Sequence, residues 1–279
     1  MRYKMLISDL DETLLNDNGT INEKNVQAIK KAVQMGFKFV PNTGRSFNSV
    51  QGVLDKLGLK NKAQQYVISY NGGAIVENLN NEVLIARDMD LMLADLIFKT
   101  GIQSDPLTDA HIYTTDKLFI YNISVADKNY MDERGVSYEL LEEPDLSFLK
   151  HEEPLMKIIF EHSNLEVREK IMANVLVAVG SEAVEATYSS GRYVEFNPAG
   201  VDKGSAGNVL GAKLGINPEE IISAGDNSND IAMIKSAGLG IAVQNAIQPV
   251  KDVAQVITDR TNNEGAIAEI LERFVLGDD

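Results

Sequence analysis

The sequence predicts a doubly wound α/β core of parallel strands, interrupted by an α+β insertion. Three observations carry this. At both ends of the chain, short apolar runs alternate with helix-length amphipathic segments. The apolar runs end in loops rich in Asp, Asn, Gly and Thr, and Cys is absent, so neither disulfides nor thiolate metal sites compete as the organising feature. Between about residues 84 and 196 the alternation stops, and helices are grouped with paired short strands instead.

In order, Met5-Leu6-Ile7 reads as a buried strand ending at Asp9 and Asp11. Asn22 caps a helix to about Gln34, whose apolar stripe is Val26, Ile29, Ala32 and Val33, and Gly36 closes it. Phe37 to Val40 is a second strand, ending at Pro41-Asn42-Thr43-Gly44-Arg45, and Ser46 caps a helix to about Leu57. Tyr66 to Ser69 is a third strand, ending at Tyr70-Asn71-Gly72-Gly73. Inside the insertion, Leu91 to Thr100 and Leu165 to Val175 read as helices. His111 to Thr114, Leu118 to Tyr121 and Leu155 to Glu161 read as strands, and a loose acidic stretch runs through Glu142-Glu143-Pro144. Ala183 to Ser189 and Tyr193 to Phe196 suggest a hairpin about Ser190-Gly191-Arg192. The α/β rhythm then resumes: helix Lys203 to Leu214, Pro218 at a helix start, strand Glu220 to Ala224, helix Ile231 to Ser236, strands Leu239 to Val243 and Val253 to Ile257, and a closing helix Asn263 to Phe274. The expected division is therefore a discontinuous core, 1–83 with 197–279, and an inserted domain, 84–196.

The formal net charge of -15 argues against nucleic acid or an anionic membrane as partner, both of which select basic surface. The N-terminus reaches Asp9 before any signal-length apolar region forms, and no run approaches a membrane span, so a soluble cytoplasmic protein is expected.

Four loops at or just beyond strand ends hold the residues with chemistry: Asp9 and Asp11; Thr43-Gly44-Arg45; Lys203; and Asp226 with Asn229-Asp230. In an open α/β sheet all four can meet over one edge. In extended chain, residues i and i+2 share a face, so Asp9 and Asp11 are expected to converge. The four carboxylates, with Lys203 beside them, suit a hard cation such as Mg²⁺, and the residual negative charge favours one carboxyl staying protonated, as a general acid requires.

Asp9-Leu10-Asp11-Glu12-Thr13, Asn42-Thr43-Gly44-Arg45, Asp202-Lys203-Gly204 and Gly225-Asp226-Asn227-Ser228-Asn229-Asp230 resemble, in order, the four motifs of the haloacid dehalogenase superfamily. The long insertion between the second and third resembles the Cof-type hydrolase branch with a type IIB cap. The resemblance implies a Rossmann-like core and a cap that sets specificity. It further implies a Mg²⁺-dependent phosphatase of small phosphorylated metabolites, sugar phosphates or similar, acting as monomer or homodimer. It makes Asp9 the nucleophile that becomes an aspartyl-phosphate and Asp11 the general acid–base. It places Mg²⁺ on Asp9, Asp226 and the Asp11 backbone carbonyl, with Asp230 orienting them. Leu10, Thr43, Gly44, Lys203 and Asn229 would bind the phosphoryl group.

Two positions depart from the pattern. Glu12 replaces the usual Gly, at a cost if the backbone there needs φ > 0, and Gln244 replaces another Gly. Singly, each motif also reads as an ordinary turn or a solvated side chain. Arg45 either reaches substrate or braces its loop. Arg192 and Glu195 are candidates to face the site. His111, His151 and His162 lack helical i, i+4 spacing and are expected to be structural, not metal ligands.

A phosphomutase is the competing enzyme; the 32 positions from Asp11 to Thr43 leave no room for an early cap, which separates it only from some mutases. A dehalogenase would not need Asp11. A non-catalytic phosphometabolite sensor would have lost Asp9 or Asp11, and both are present. If the insertion sets specificity, replacing it with a short linker should leave slow, unselective Mg²⁺-dependent hydrolysis of aryl phosphates. Circular dichroism should first show that the core folds; a folded core keeping the full substrate ranking would place specificity elsewhere.

Overall fold

The computed structural model describes residues 2–151 and 154–277, the side chain of His151 excepted. The chain divides into two compact units, residues 1–85 with 202–279 and residues 86–201.

The first segment begins with β1 (Met5–Ser8), buried along its whole length as a strand covered on both faces must be. Asn22 accepts from the Lys24 amide (3.0 Å) at the start of α1 (Glu23–Gln34), whose buried stripe includes Val26, Ile29 and Ala32. β2 (Lys38–Pro41) follows. A 3₁₀ turn, Phe47–Val50, capped by Ser46, leads into α2 (Gln51–Leu57). The third expected strand exists as β3 (Tyr66–Ser69), but it does not extend the parallel sheet. It pairs antiparallel with β4 (Ala74–Glu77), in a three-stranded sheet completed by β5 (Glu82–Ala86). The cause is the turn between them. Tyr70, Asn71 and Gly72 all have positive φ, so the chain reverses at once. A single parallel bridge, Asn42 to Ile68, ties β3 to the exit of β2.

The insertion runs α3 (Leu91–Ser104), β6 (Asp109–Thr114), β7 (Leu118–Tyr121), α4 (Val125–Glu133), β8 (Glu139–Leu141), β9 (Leu155–Glu161), α5 (Leu165–Val179), β10 (Val184–Ser189) and β11 (Tyr193–Pro198). Its six strands form one sheet in the order β10-β11-β9-β6-β7-β8. Alternation decides its two faces. Ala110, Ile112, Ile158, Phe160, Val194 and Phe196 pack with Ile97 and Phe98 of α3 and with Ile171 and Val175 of α5. The opposite face carries Ile159 and Tyr193, packed with Met131 of α4. α3 presses so close that a Cβ on Gly101 would lie 2.1 Å from the Phe160 ring. α4 and β8 occupy the stretch expected to be loose: Ser124 caps α4, but the helix has a weak apolar stripe, which hid it.

The last segment holds α6 (Lys203–Leu214), β12 (Ile221–Gly225), α7 (Ile231–Ser236), β13 (Leu239–Ala242), α8 (Gln248–Val253), β14 (Val256–Ile257) and α9 (Ala266–Leu271), which continues into a π turn, Glu272–Leu276. The sequence reading leaves the stretch between its strands Leu239–Val243 and Val253–Ile257 unassigned; Pro249, in the first turn of α8, is the helix-start signal there. The parallel sheet has the order β14-β13-β12-β1-β2. Ser8 pairs with Pro41 on one side and Ala224 on the other, so β1, β2 and β12 end level. Among the described residues, no helix is long and apolar enough to cross a membrane.

Gly72 joins the two ends of the chain: its φ is +103°, and a Cβ there would lie 2.3 Å from the Asp202 carbonyl oxygen. Gly72→Ala should therefore cost about 3 kcal/mol, combining left-handed strain with backbone overlap. Gly19→Ala, where φ is +76° and nothing lies within 4 Å, should cost only about 1 kcal/mol. Urea unfolding of the two variants reads the difference; equal losses would mean that the close approach to Asp202 is unimportant.

Candidate active site

Because β1, β2 and β12 end level, the residues that follow each strand emerge along one edge of the sheet. Asp9 follows β1 and donates its amide to the Ala224 carbonyl (3.0 Å), extending the ladder by one step. Asn42 follows β2 and donates its amide to Ser8 (2.8 Å), and Asp226 follows β12. Lys203 arrives from the first turn of α6. Asp202 fixes that helix start by accepting the amides of Gly204 (2.7 Å) and Ser205 (2.9 Å).

The Lys203 side chain is almost fully buried, and its ammonium donates to Asp9 Oδ1 (2.6 Å) and Asp230 Oδ1 (2.7 Å). Asp230 Oδ2 accepts the amides of Asp226 and Asn227, both at 3.0 Å, so this carboxylate ties the lysine to the loop after β12. Asp226 Oδ1 accepts from the Thr13 hydroxyl (2.6 Å). Asp9 and Asp226 thus each use one oxygen in these contacts, and their Oδ2 atoms take no part in them.

Carboxylate oxygens of Asp9, Asp226 and Asp230 lie within 4.8 Å of one another, all buried. Three carboxylates against one ammonium leave an excess of two negative charges when ionised. A divalent cation within the cluster would fit both that charge and the all-oxygen donor set. In its absence protons take part of the load. Burial holds the Asp9 carboxyl well above its ordinary range; Lys203 pulls it back, and Asp230, Asp226 and Asp11 push it further up. Burial, then Asp230, pushes Asp226 up to about 7 against the Thr13 hydrogen bond. Burial alone would lower the Lys203 pKa, but Asp230 and Asp9 together raise it, so the lysine stays charged.

Asp11 stands apart. The expected convergence with Asp9 holds only for extended backbone, and the chain here turns. The amides of Leu14 and Leu15 bond to the Leu10 carbonyl at 3.0 and 2.8 Å, and Glu12 takes a left-handed φ of 57°. The half-exposed Asp11 carboxylate is gripped by Arg45, Nε donating to Oδ2 at 3.0 Å and Nη2 to Oδ1. Glu12 bears the cost foreseen for a non-glycine residue at that position, about 1 kcal/mol. Its carbonyl accepts from Asn245 Nδ2 (2.8 Å). Leu10 is fully buried, and Gln244 is exposed.

Thr43 exchanges backbone bonds with β3 and the turn after it, donating to Ile68 and accepting from Asn71, each at 3.0 Å. Its hydroxyl accepts the Arg45 amide (3.1 Å). A Cβ on Gly44 would meet Asn71 Oδ1 at 3.1 Å, and Asn229 Nδ2 donates to that same oxygen at 3.4 Å. Thr13 and Asn71 are contributors that sequence reasoning missed. Thr13 stood in the same acidic run as Asp9, and Asn71 in a Tyr-Asn-Gly-Gly turn; neither type advertises a role without its partner in view. Asn42 likewise locks the site, donating to the Lys203 carbonyl (2.9 Å).

In the insertion, Glu195 is buried and accepts from Lys157 (2.7 Å) and Ser189. Arg192 pairs with Glu161 (3.2 Å) and lies over the Tyr130 ring. Both are held by local contacts. His162 Nδ1 accepts the Asn164 amide (3.1 Å), and the His151 side chain lies outside the described residues.

Residues 6–271 match the family model of haloacid dehalogenase-like hydrolases. The Bacillus subtilis protein YcsE, named a 5-amino-6-(5-phospho-D-ribitylamino)uracil phosphatase, is 31% identical over 276 residues, covering 98% of this chain and 96% of its own. Among solved structures, TM0651 from Thermotoga maritima is 30% identical with a TM-score of 0.81, covering 99% of this chain and 98% of its own. A haloacid dehalogenase-like hydrolase from Bacteroides thetaiotaomicron is 25% identical with a TM-score of 0.84, covering 97% of this chain and 99% of its own.

A raised carboxyl pKa means that the folded state binds more protons than the unfolded chain between the two values. Stability then falls as pH rises through that window. For Asp226 the window runs from about 4 to about 7. In a chelator, melting temperature should decline across it, and Mg²⁺ should raise it more at pH 8 than at pH 5, where protons compete. Thermal scans at stepped pH check this. Asp226→Asn should flatten the decline; an undiminished slope would assign it to other groups.

Proposed function

The chain belongs to the haloacid dehalogenase-like hydrolases, and from that premise we propose that it is a Mg²⁺-dependent phosphatase of small phosphorylated metabolites, working through an aspartyl-phosphate on Asp9. The observation that carries this is Asp9 itself. Its Oδ1 is anchored by the Lys203 ammonium while Oδ2 takes no part in that pair, which is the arrangement an in-line nucleophile needs.

In this reading Asp9 Oδ2 attacks phosphorus as the bond to the leaving alkoxide breaks, and Asp11 gives that alkoxide its proton. Asp11 then takes a proton from the water that cleaves the acyl-phosphate, returning Asp9 as carboxylate. Asp9, Asp226 and the Asp11 carbonyl would hold Mg²⁺, which when bound would supply positive charge against the phosphoryl oxygens. Lys203 keeps the nucleophile in line and shares that neutralisation. The Thr43 hydroxyl, the Gly44 and Leu10 amides and the Asn229 amide group hold phosphoryl oxygens. Asp230 orients Lys203 and the Asp226 loop. Arg45 holds Asp11 until phosphate oxygens compete for the guanidinium, which frees Asp11 for proton transfer. Residues 86–201 supply most contacts to the rest of the substrate, since every group assigned to phosphoryl transfer lies outside them. Phosphorylated sugars and polyols are the substrate class, and a ribityl phosphate belongs in the first panel because YcsE is named for one.

Asp9→Asn should abolish both turnover and the phospho-enzyme. Asp11→Asn should slow a sugar phosphate by roughly 100-fold, the scale of general acid–base help. It should slow p-nitrophenyl phosphate much less, since that leaving group departs without a proton. Equal losses on both substrates would remove Asp11 from the acid role. Chelation should stop wild-type turnover and Mg²⁺ should restore it, with Ca²⁺ a poor substitute because its looser coordination misplaces the nucleophile.

A further inference from the structure

The insertion contains a second cluster that phosphoryl transfer does not use. Asp109 and His111 stand two apart on β6 and so point to the same face of the sheet, the face opposite the α3–α5 core. Asp127, in the first turn of α4, is laid over them. All three side chains are fully buried. His111 Nε2 lies 2.8 Å from Asp127 Oδ2 and 3.3 Å from Asp109 Oδ1, and the three ligand atoms fall within 4.8 Å of one another.

The outer oxygen of each carboxylate is fixed from behind. Tyr193 donates to Asp127 Oδ1 (2.6 Å), and the Ser124 amide donates to Asp109 Oδ2 (2.9 Å). The inner oxygens therefore converge on one imidazole nitrogen. That nitrogen carries at most one hydrogen, which the shorter contact commits to Asp127. Asp109 Oδ1 is left buried with no hydrogen-bond donor. Leaving a buried carboxylate oxygen in that state is costly. Nδ1 has no partner either, whichever species Nε2 faces, so it does not discriminate.

We propose that Asp109, His111 and Asp127 form a divalent-cation site of the Zn²⁺ class within the insertion, distinct from the acidic cluster of the core. One cation satisfies all three inner atoms at once. Tetrahedral ligands at about 2.0–2.2 Å from zinc stand roughly 3.3–3.6 Å apart; the 3.3 Å from Nε2 to Asp109 Oδ1 matches this, and the 2.8 Å to Asp127 Oδ2 would open by about 0.5 Å on binding. A neutral imidazole with two carboxylates suits Zn²⁺ better than Mg²⁺, which prefers six oxygens and retained waters. Tyr193 and Ser124 supply the outer contacts that orient first ligands. Charge points the same way. Arg192 lies 3.2 Å from Glu161 and 3.8 Å from Asp127, one positive charge against the three carboxylates of Asp109, Asp127 and Glu161. The remaining two negative charges equal one divalent cation.

The test uses the full chain with Mg²⁺ in excess to occupy the core site. Equilibrium dialysis against Zn²⁺ should retain one zinc per chain. The isosteric Asp109→Asn should weaken that binding by 100-fold or more, whereas Asp226→Asn should leave it in place. Zinc retention unchanged in Asp109→Asn and lost in Asp226→Asn would overturn the proposal, placing zinc on the core carboxylates alone. A second measurement needs no substitution at the cluster. In ¹⁵N spectra of wild-type histidine side chains, added Zn²⁺ should shift one Nε2 resonance, and His162→Gln should retain that shifting signal. No histidine response, or one that disappears in His162→Gln, would equally overturn it.

Discussion

The interaction on which the core's geometry depends is the buried Lys203 ammonium between Asp9 and Asp230. Its position is adverse on two counts. An ammonium without water is costly, and a positive charge in the first turn of α6 opposes the helix dipole. Two carboxylates within 2.7 Å offset both, and the Asp202 cap satisfies the amides that would otherwise repel the charge. Each partner is then fixed by something else: Asp9 by the β1–β12 ladder, Asp230 by the amides of Asp226 and Asn227. The lysine thus links residues from both ends of the chain. It also leaves more negative charge in place than it cancels, which is why the cluster could hold a divalent cation.

Around that pair the loops are held by backbone geometry more than by side-chain packing. Glu12, Tyr70 and Asn71 all take left-handed conformations, and Gly72 passes within Cβ distance of the Asp202 carbonyl. Non-glycine residues rarely adopt such φ values, and strain of this kind is retained where the surrounding structure over-determines it. Here the reward is placement. The Tyr70–Gly72 turn carries the Asn71 amide to Thr43 and its side chain to Asn229, while Asn42 reaches the Lys203 carbonyl. Four segments remote in sequence are thereby linked by hydrogen bonds whose lengths and directions tolerate little movement.

The insertion solves a different problem with one sheet. Its alternating strands place a continuous apolar face beneath α3 and α5 and gather polar groups on the other: Asp109 and His111 on β6, Lys157 and Glu161 on β9, Tyr193 and Glu195 on β11. All six are buried, and nearly every charge has an opposite partner, as buried charges require. Asp109 Oδ1 accepts no hydrogen bond, and the proposed cation site rests on that atom.

By itself the sequence determined the elements whose signals are local. β1, β12 and the Asn22-capped α1 were legible because continuous apolar runs, caps and the 3.6-residue stripe are properties of adjacent residues. So were the four loops that carry Asp9, Thr43, Lys203 and Asp226, because each contains chemistry that ordinary turns seldom assemble in that order. Tertiary structure alone decided which groups meet. It paired Asp11 with Arg45 and left its carboxylate outside the Asp9, Asp226 and Asp230 cluster, where a left-handed residue at position 12 ends the extended backbone on which the i, i+2 expectation rested. It brought Thr13 to Asp226 and Asn71 to Asn229, across 213 and 158 positions. It made β3 part of a separate antiparallel sheet, and it joined Asp127 to a histidine whose helical spacing gave no hint of a ligand set. Strand and helix periodicities report which face a residue occupies; they carry no information about which distant segment will be laid against that face.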